Sequence, residues 1–404
     1  MKKWFIVAGS VLLVLALVVG CKAPTLAPTT PTPTPVAKGT LKIGVLAPLS
    51  GPGLAWGNLM KISSEIAADD INAAGGLKVG NTVYEIKIIP YDDKYAPDPG
   101  LAAANRLVYE DKVKYIIGPI ASSVILAIQP VTEKEKVMCF GSFFTEKALG
   151  PDKPFTWRLL PSPVEFTPPE AAWIAKNFPS LKTVVIVAPN DETGQAQSAA
   201  TTKSYEKAGV KVLPTQFYDR GTTDFAPIIT RVLPLKPDGI ETDGSAPGDV
   251  ATIYNTARTM GYKGMLIRLG GEATAAIVKA AGESVEGMLY HADGDLEAAT
   301  GQLKDFYAEY DRRAGAGSVA ANAIYGYETI RWLTLAMQEA GTVEDTEAVT
   351  RALEQMKTFD SLAGKYYWGG KETYGIDRQL LAPCYVGQVV NGKGKILVKL
   401  EVSQ

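Results

Sequence analysis

The chain has 404 residues, 46% hydrophobic and 21% charged, which is a globular balance with enough length for two domains. Its 41 basic and 43 acidic residues give a formal net charge of −2, so the basic footprint that nucleic acid demands is excluded. A single histidine, His291, and cysteines at 21, 139 and 384 without ligand spacing lean against a zinc site and against a Ser-His-Asp triad, which needs a placed imidazole, and cannot make a disulfide framework.

Lys2 and Lys3 precede a run from Trp4 to Gly20 that is apolar apart from Ser10. It is long for a signal-peptide core and short for a membrane span. The residues that follow, Val18-Val19-Gly20-Cys21, resemble a bacterial lipoprotein processing site. The resemblance implies that residues 1–20 are a signal peptide and that the Cys21 thiolate takes a diacylglyceryl group, becoming the lipidated N-terminus. A retained anchor helix is the other reading, although no basic stop cluster follows beyond Lys22. Both readings place the protein outside the cytoplasm, held at the outer face of the cell membrane. Residues 21–40 read as a Thr/Pro-rich tether, and polyproline II geometry over residues 23–39 would reach about 50 Å at ~3.1 Å per residue.

From Leu41 strand and helix alternate. LKIGVLAPLSG reads as a buried strand, and Trp56 to Ala73 as a helix stopped by Gly75-Gly76. YEIKIIPYDD, a helix over Pro99 to Glu110, KYIIGPI and KVMCFGS extend the pattern. After the aperiodic TWRLLPSPVEFTPPE, a second set begins with KTVVIVAPN, a helix from Ala196 to Ala208, and VKVLPTQFY. Thr222-Thr223-Asp224 predicts a helix cap. PDGIETDG, a helix from Asp249 to Met260, GMLIRLGG and a helix from Ala273 to Ala281 complete the set, and helices follow over Gln302–Arg313, Val319–Glu339 and Thr346–Thr358. Repeated βαβ units imply parallel sheets covered on both faces. Neither set carries GxGxxG or GxxxxGK[ST], so no nucleotide cofactor is expected.

LKIGVLAPLSGPGLAWG, AADDINAAGGLKVGNTVYEIKIIPYDD, KYIIGPIASS, TTDFAPIITRV and AGESVEGML occur in one register over nearly the whole chain. Together they resemble the type I periplasmic solute-binding proteins, in particular the branched-chain amino acid (leucine/isoleucine/valine) binding family of ABC importers. The resemblance implies an α/β clamshell of two Rossmann-like lobes joined by three crossing segments, near Leu160, Ala292 and Leu380. Lobe 1 would comprise residues 41–160 and 293–380, and lobe 2 residues 161–292 and 381–404. Ligands in open α/β sheets sit beyond the carboxyl ends of the strands, where two facing lobes can enclose a solute.

The same resemblance supplies candidate ligand-binding residues. Ser122, with Ser123 beside it, matches a serine that holds the ligand carboxylate; the same residue type also serves as a plain helix cap, and Pro130 bends or delays that helix. Thr145 matches a threonine that binds carboxylate and amino group, and Trp56 an aromatic that covers the ligand side chain. Phe143 and Phe144 stand where small residues are usual, and one of the two rings would narrow or line the pocket with apolar surface. In the second lobe Thr193 replaces a tyrosine and Ser245 an aromatic. The acid expected for a ligand ammonium falls at Gly270, so either Glu272 or Asp243 takes that role or the ligand has no ammonium. His291, beside a crossing, reads as a surface or hydrogen-bonded structural residue and not as a ligand contact, and Cys139 and Cys384 as buried free thiols.

These implications amount to a monomeric, lipid-anchored solute receptor, without catalytic residues, metal or cofactor, that delivers a small carboxylate-bearing solute to ABC permease and ATPase subunits. Branched-chain or other apolar amino acids come first, and aromatic or aliphatic carboxylic acids or amides second. A sensing lipoprotein that signals to a membrane kinase or chemoreceptor is a different use of the same clamshell. An exported hydrolase is the enzyme alternative, and the single histidine disfavours it.

Overall fold

The computed structural model describes residues 37–402. The signal sequence, Cys21 and most of the tether therefore lie outside the described residues. The first strand, β1 (Ala37–Ala47), starts inside the stretch read as tether. It is followed by α1 (Leu54–Ala73), β2 (Leu77–Val79), β3 (Thr82–Asp92), α2 (Pro97–Asn105), β4 (Tyr115–Ile117), α3 (Ser122–Lys134), β5 (Met138–Gly141) and β6 (Thr156–Arg158). Next come α4 (Pro163–Asn177), β7 (Thr183–Pro189), α5 (Glu192–Lys207), β8 (Lys211–Tyr218), α6 (Ala226–Val232), β9 (Gly239–Thr242), α7 (Pro247–Thr259), β10 (Met265–Arg268), α8 (Thr274–Ala281) and β11 (Leu289–Ala292). The last part holds α9 (Gly301–Ala314), α10 (Ala323–Ala340), α11 (Thr346–Gln355), β12 (Thr358–Ser361), β13 (Gly364–Gly369), α12 (Lys371–Tyr374), β14 (Gln379–Leu381), β15 (Cys384–Val390) and β16 (Lys393–Leu400).

These strands form two sheets. One has nine strands in the order β12-β13-β14-β6-β5-β4-β1-β3-β2, and the other seven in the order β16-β15-β11-β10-β9-β7-β8. The inner strands pair in parallel, β1 with β3 and β4, and β7 with β8 and β9. Antiparallel pairs close the edges, β12 with β13 and β15 with β16. The chain leaves the first sheet after Arg158, leaves the second after Ala292, and passes back from β14 to β15 after Leu381, which makes three crossings. The protein is thus an α/β clamshell of two lobes.

Local chemistry explains the elements. Ile43 and Val45 of β1 and Val184 to Val187 of β7 are wholly buried, as strands covered by helices on both faces must be. Each such side chain contributes about 1.5–3 kcal/mol of hydrophobic burial. α1 sinks Trp56, Leu59, Ile62 and Ile66 into the first lobe and stops at Gly75 and Gly76, whose φ of 106° and 89° suits glycine. α4 opens on a reciprocal capping box between Ser162 and Glu165, and α5 on Asp191, which accepts from the Thr193 and Gly194 N–H groups.

Four expectations shift. The helix expected over Pro99–Glu110 divides, with α2 ending at Asn105 and a π-helical turn over Arg106–Glu110. The cap expected at Thr222–Asp224 does not form: the N-cap of α6 is Phe225, without a side-chain bond, while Asp224 accepts from the Ala226 N–H at 2.9 Å in a local turn and Thr222 donates to the Asp219 carbonyl. The helix expected from Val319 begins at Ala323. The helix expected to reach Thr358 stops at Gln355, because Thr358–Ser361 pairs antiparallel with β13. Cys139 and Cys384 are free and buried, in different sheets.

Candidate functional site

Loops at the carboxyl ends of the parallel strands face one another across the clamshell, and a cavity of about 650 Å³, counted with its mouth, lies between them. The first lobe contributes Trp56, Leu59 and Met60 from α1, Tyr95 after β3, Ile120 after β4, Ser142 and Phe144 after β5, Leu159 and Leu160 after β6, and Asn322, Tyr325 and Gly326 around the start of α10. The second contributes Thr193 and Gln197 from α5, Gly244 after β9, and Arg268, Gly270 and Gly271 at the end of β10. The wall is mostly apolar, with a few polar groups at defined places.

The lobes touch directly around this space. The Trp56 indole N–H lies 3.2 Å from the carbonyls of both Gly271 and Glu272. This contact depends on the turn Gly270-Gly271, where φ is 93° and 65°. A Cβ at Gly271 would come within 2.9 Å of the indole, and one at Gly270 within 2.7 Å of the Phe166 ring. The Ser122 N–H, at the start of α3, donates to Thr193 Oγ1 at 2.9 Å, so the N-termini of α3 and α5 meet. Thr145 Oγ1 donates to Glu192 Oε1 at 2.6 Å, and Lys147 pairs with Glu192 at 2.9 Å. Nearer the mouth, the Arg220 guanidinium lies 4.3 Å over the Tyr95 ring and is tied to Asp191 at 2.5 Å.

The candidates fall into two groups. Trp56, Phe144 and Thr193 line the cavity. Ser122 does not: its Oγ accepts from the Phe144 and Thr145 N–H groups at 3.0 and 3.1 Å and caps no helix. Ser123 faces a separate hollow bounded by Tyr95 and Arg220. Phe143 is wholly buried, 4.9 Å beneath the Arg158 guanidinium. The Thr145 hydroxyl is spent on Glu192. Ser245 supplies its carbonyl to Arg268, and its hydroxyl weakly reaches the Asp243 carbonyl at 3.4 Å. Glu272 does not line the cavity; its carbonyl accepts from Trp56 and Asn322, while its carboxylate accepts from the Asp293 and Ala321 N–H groups at 3.0 and 3.3 Å. Burial, then the charge of Asp293, pushes Glu272 up to about 7. Asp243 is buried beneath, without a hydrogen-bond partner for either oxygen. Burial and neighbouring Glu241 push it well above the usual carboxylate range.

Sequence reasoning missed Arg268, Gln197, Tyr95, Asn322 and Tyr325. Arg268 is 2% exposed. It donates to the carbonyls of Ser245 and Gly271 at 3.1 and 2.8 Å, its Nε has no partner, and it forms no ion pair among the described residues. Its signal in the sequence is the lone charge in the apolar strand GMLIRLGG, directly before a glycine pair. Behind the cavity, His291 is held by Glu170 at 2.7 Å and Asp293 at 3.4 Å, and packs on Phe166. Burial would lower this imidazole, but the two carboxylates hold it well above its usual value. Tyr325, a cavity residue, donates to Asp293 at 3.0 Å and links the two regions.

Known proteins agree with this architecture. The Leu/Ile/Val-binding protein BraC3 of Rhizobium johnstonii is 27% identical over 353 residues, covering 83% of this chain and 89% of the relative. The Leu/Ile/Val-binding protein of Escherichia coli is 27% identical over 254 residues, 62% of this chain and 66% of its own. Among solved structures, a leucine binding protein from Thermotoga maritima superposes with a TM-score of 0.78 at 22% identity, covering 90% of this chain and 99% of that one. A solute-binding protein of an ABC transporter from R. palustris, in complex with benzoate, has the same TM-score at 17% identity, covering 90% and 98%. The sequence profile of the periplasmic binding protein family matches residues 40–395, and the chain belongs to that family, extracytoplasmic receptors that bind a small-molecule solute and catalyse no reaction.

Proposed function

We propose that the protein is the monomeric receptor of an ABC importer, held at the outer face of the cell membrane by lipidated Cys21 and the Thr/Pro tether. It carries a small, largely apolar, carboxylate-bearing solute between a first lobe of residues 41–160 and 293–380 and a second of 161–292 and 381–404. The observation that carries this reading is the cavity itself. It is walled by Trp56, Leu59, Met60, Ile120, Phe144 and Leu159, has a buried guanidinium at one side, and is sealed by hydrogen bonds that cross between lobes. Such a wall rewards burial of an apolar body and fixes one polar end. Closing around the solute also brings the two lobe surfaces together for a permease to recognise. The names of the curated relatives support branched-chain amino acids. The benzoate and 4-hydroxybenzoate complexes of solved relatives from R. palustris support aromatic acids in the same fold.

The test is thermal unfolding of the full chain, first denatured and refolded to strip retained solute, against amino acids, aromatic acids, short fatty acids, amides and urea. A ligand at 100 times its Kd adds about 2.7 kcal/mol to stability and raises Tm visibly. Silence of every carboxylate in the panel overturns the reading. The anchor is tested separately: Cys21→Ser should release the protein from the membrane fraction and remove the mass of the lipid.

A further inference from the structure

We propose that the solute is an amine-free organic acid, aromatic or branched aliphatic, whose carboxylate docks on the Arg268 guanidinium of the second lobe. The inference rests on the receptor reading above and assigns the chemistry of its site.

Three observations converge. Arg268 lines the cavity, is 2% exposed, gives hydrogen bonds only to two main-chain carbonyls, and keeps its Nε without a partner. A buried cation lacking a counter-ion is costly, and an incoming carboxylate relieves that cost while taking a planar, forked donor. No Asp or Glu side chain lines the cavity. Glu272 points its carboxylate away, to the Asp293 and Ala321 N–H groups, so a ligand ammonium would be buried without a counter-charge. The remaining orphan in the wall is Asn322 Oδ1, an amide oxygen that suits a hydroxyl but does not neutralise a cation. Finally, the two first-lobe hydroxyls that the resemblance assigns to a ligand are engaged by the protein, Ser122 Oγ accepting from two N–H groups and Thr145 donating to Glu192, which leaves Ser142 as the first-lobe hydroxyl on the wall.

The acids nearest Arg268 do not take its charge. Glu241 is engaged by the Leu269 N–H at 2.7 Å and the Tyr205 hydroxyl at 2.8 Å. Asp249 takes the Tyr218 hydroxyl at 3.1 Å. Burial raises both Glu241, to about 7, and Asp243, which weakens the hold of these two acids on the guanidinium charge.

The experiment measures binding calorimetrically on the refolded full chain with two matched pairs, 4-methylpentanoate against leucine and benzoate against benzamide. The expected result is that at least one acid binds, its amino or amide counterpart binds at least about tenfold more weakly, and Arg268→Met weakens the acid about thirtyfold or more. Leucine binding as tightly as 4-methylpentanoate, or a folded Arg268→Met protein retaining full acid affinity, overturns this assignment and leaves the receptor reading standing. No binding of any carboxylate overturns both. If Arg268→Met does not fold, the matched pairs on the natural sequence decide.

Discussion

Two buried cations lie on either side of the clamshell's crossing, and their surroundings are opposite. His291 at the back is clamped by Glu170 and Asp293, and Asp293 is in turn bound by the Tyr325 hydroxyl. Arg268 at the front faces the cavity with main-chain carbonyls only. A fully paired buried charge ties together the elements that carry its partners, here α4, β11 and the second crossing. An unpaired one on a cavity wall, like Arg268, can be completed by a solute, whereas Arg158, wholly buried away from the cavity, donates to the Tyr374, Gln379 and Thr145 oxygens. The back of the hinge is therefore built for stability and the front for binding, and substitutions should separate the two.

The largest effect belongs to the back. Glu170→Ala strips His291 of its shorter contact and leaves a buried imidazolium facing Asp293 alone. Breaking a buried pair from one side costs about 3–5 kcal/mol, which should appear as a lower urea midpoint. Arg268→Met removes a buried charge that has no ion pair, at the expense of two carbonyl contacts, and should change stability by no more than about 1–2 kcal/mol. If the Arg268 variant proves the less stable of the two, the division between front and back is wrong.

The comparison extends to pH. Between about 4.5 and 7 the folded chain keeps a proton on Glu272 that the unfolded chain has released, and burial holds Glu241 in the same state. Above 6.5 the same holds for His291, which stays charged between its carboxylates after an unfolded imidazole has lost its proton. In each case the native state binds more protons, so stability is complete below the unfolded pKa and declines as pH rises through the folded one. Urea midpoints should therefore fall from pH 5 to pH 8 by a few kcal/mol in unfolding free energy. Glu272→Gln should flatten the slope between 4.5 and 7. A stability that rises over this interval would contradict the protonation states assigned to the hinge.

Much of the fold is legible because it rests on local periodicity. KTVVIVAPN and GMLIRLGG are apolar runs of strand length, and they form β7 and β10. The Gly75-Gly76 stop works through φ alone. The edge hairpin β12–β13 was harder to see, since its alternation of Phe359, Tyr366 and Trp368 is short and split by a turn. In the site, Trp56 and Thr193 stand in the first turns of helices that follow strands, and Phe144 lies on a strand-end loop, positions that open on the cleft. Ser122 and Thr145 differ because a hydroxyl's partner is decided by what approaches it. Here Thr193 and Glu192 come from the other lobe, about seventy and fifty residues away in sequence. No local pattern carries that information. Arg268 was obscured for the opposite reason, because a charge inside an apolar strand is discounted until the strand's end is seen to open on a cavity.

Front-side variants should move affinity and spare stability. Thr193→Val keeps the shape but deprives the Ser122 N–H of its acceptor when the lobes meet. Water can satisfy that N–H only while the lobes are apart, so the penalty falls on closure. A buried donor left unpaired costs about 1–3 kcal/mol, and solute affinity should drop by roughly thirtyfold with an unchanged urea midpoint. Equal loss of stability and affinity would mean that this bond serves the fold rather than closure.

Trp56→Phe should have the smallest effect of the series, although the indole touches both lobes. Its N–H is shared between the Gly271 and Glu272 carbonyls, and each carbonyl keeps another donor, Arg268 Nη2 at 2.8 Å for the first and Asn322 Nδ2 at 3.2 Å for the second. No acceptor is left bare, so only the net worth of one hydrogen bond and part of an aromatic face are lost, about 1–1.5 kcal/mol. Calorimetry should record about a fivefold to tenfold weaker Kd for whichever solute raises Tm in the natural protein. A loss of a hundredfold or more would place the indole against the solute itself, as the lid of the cavity and not only the strut between the lobes. That outcome would shift the front of the molecule from a seat built around Arg268 to one shared with Trp56.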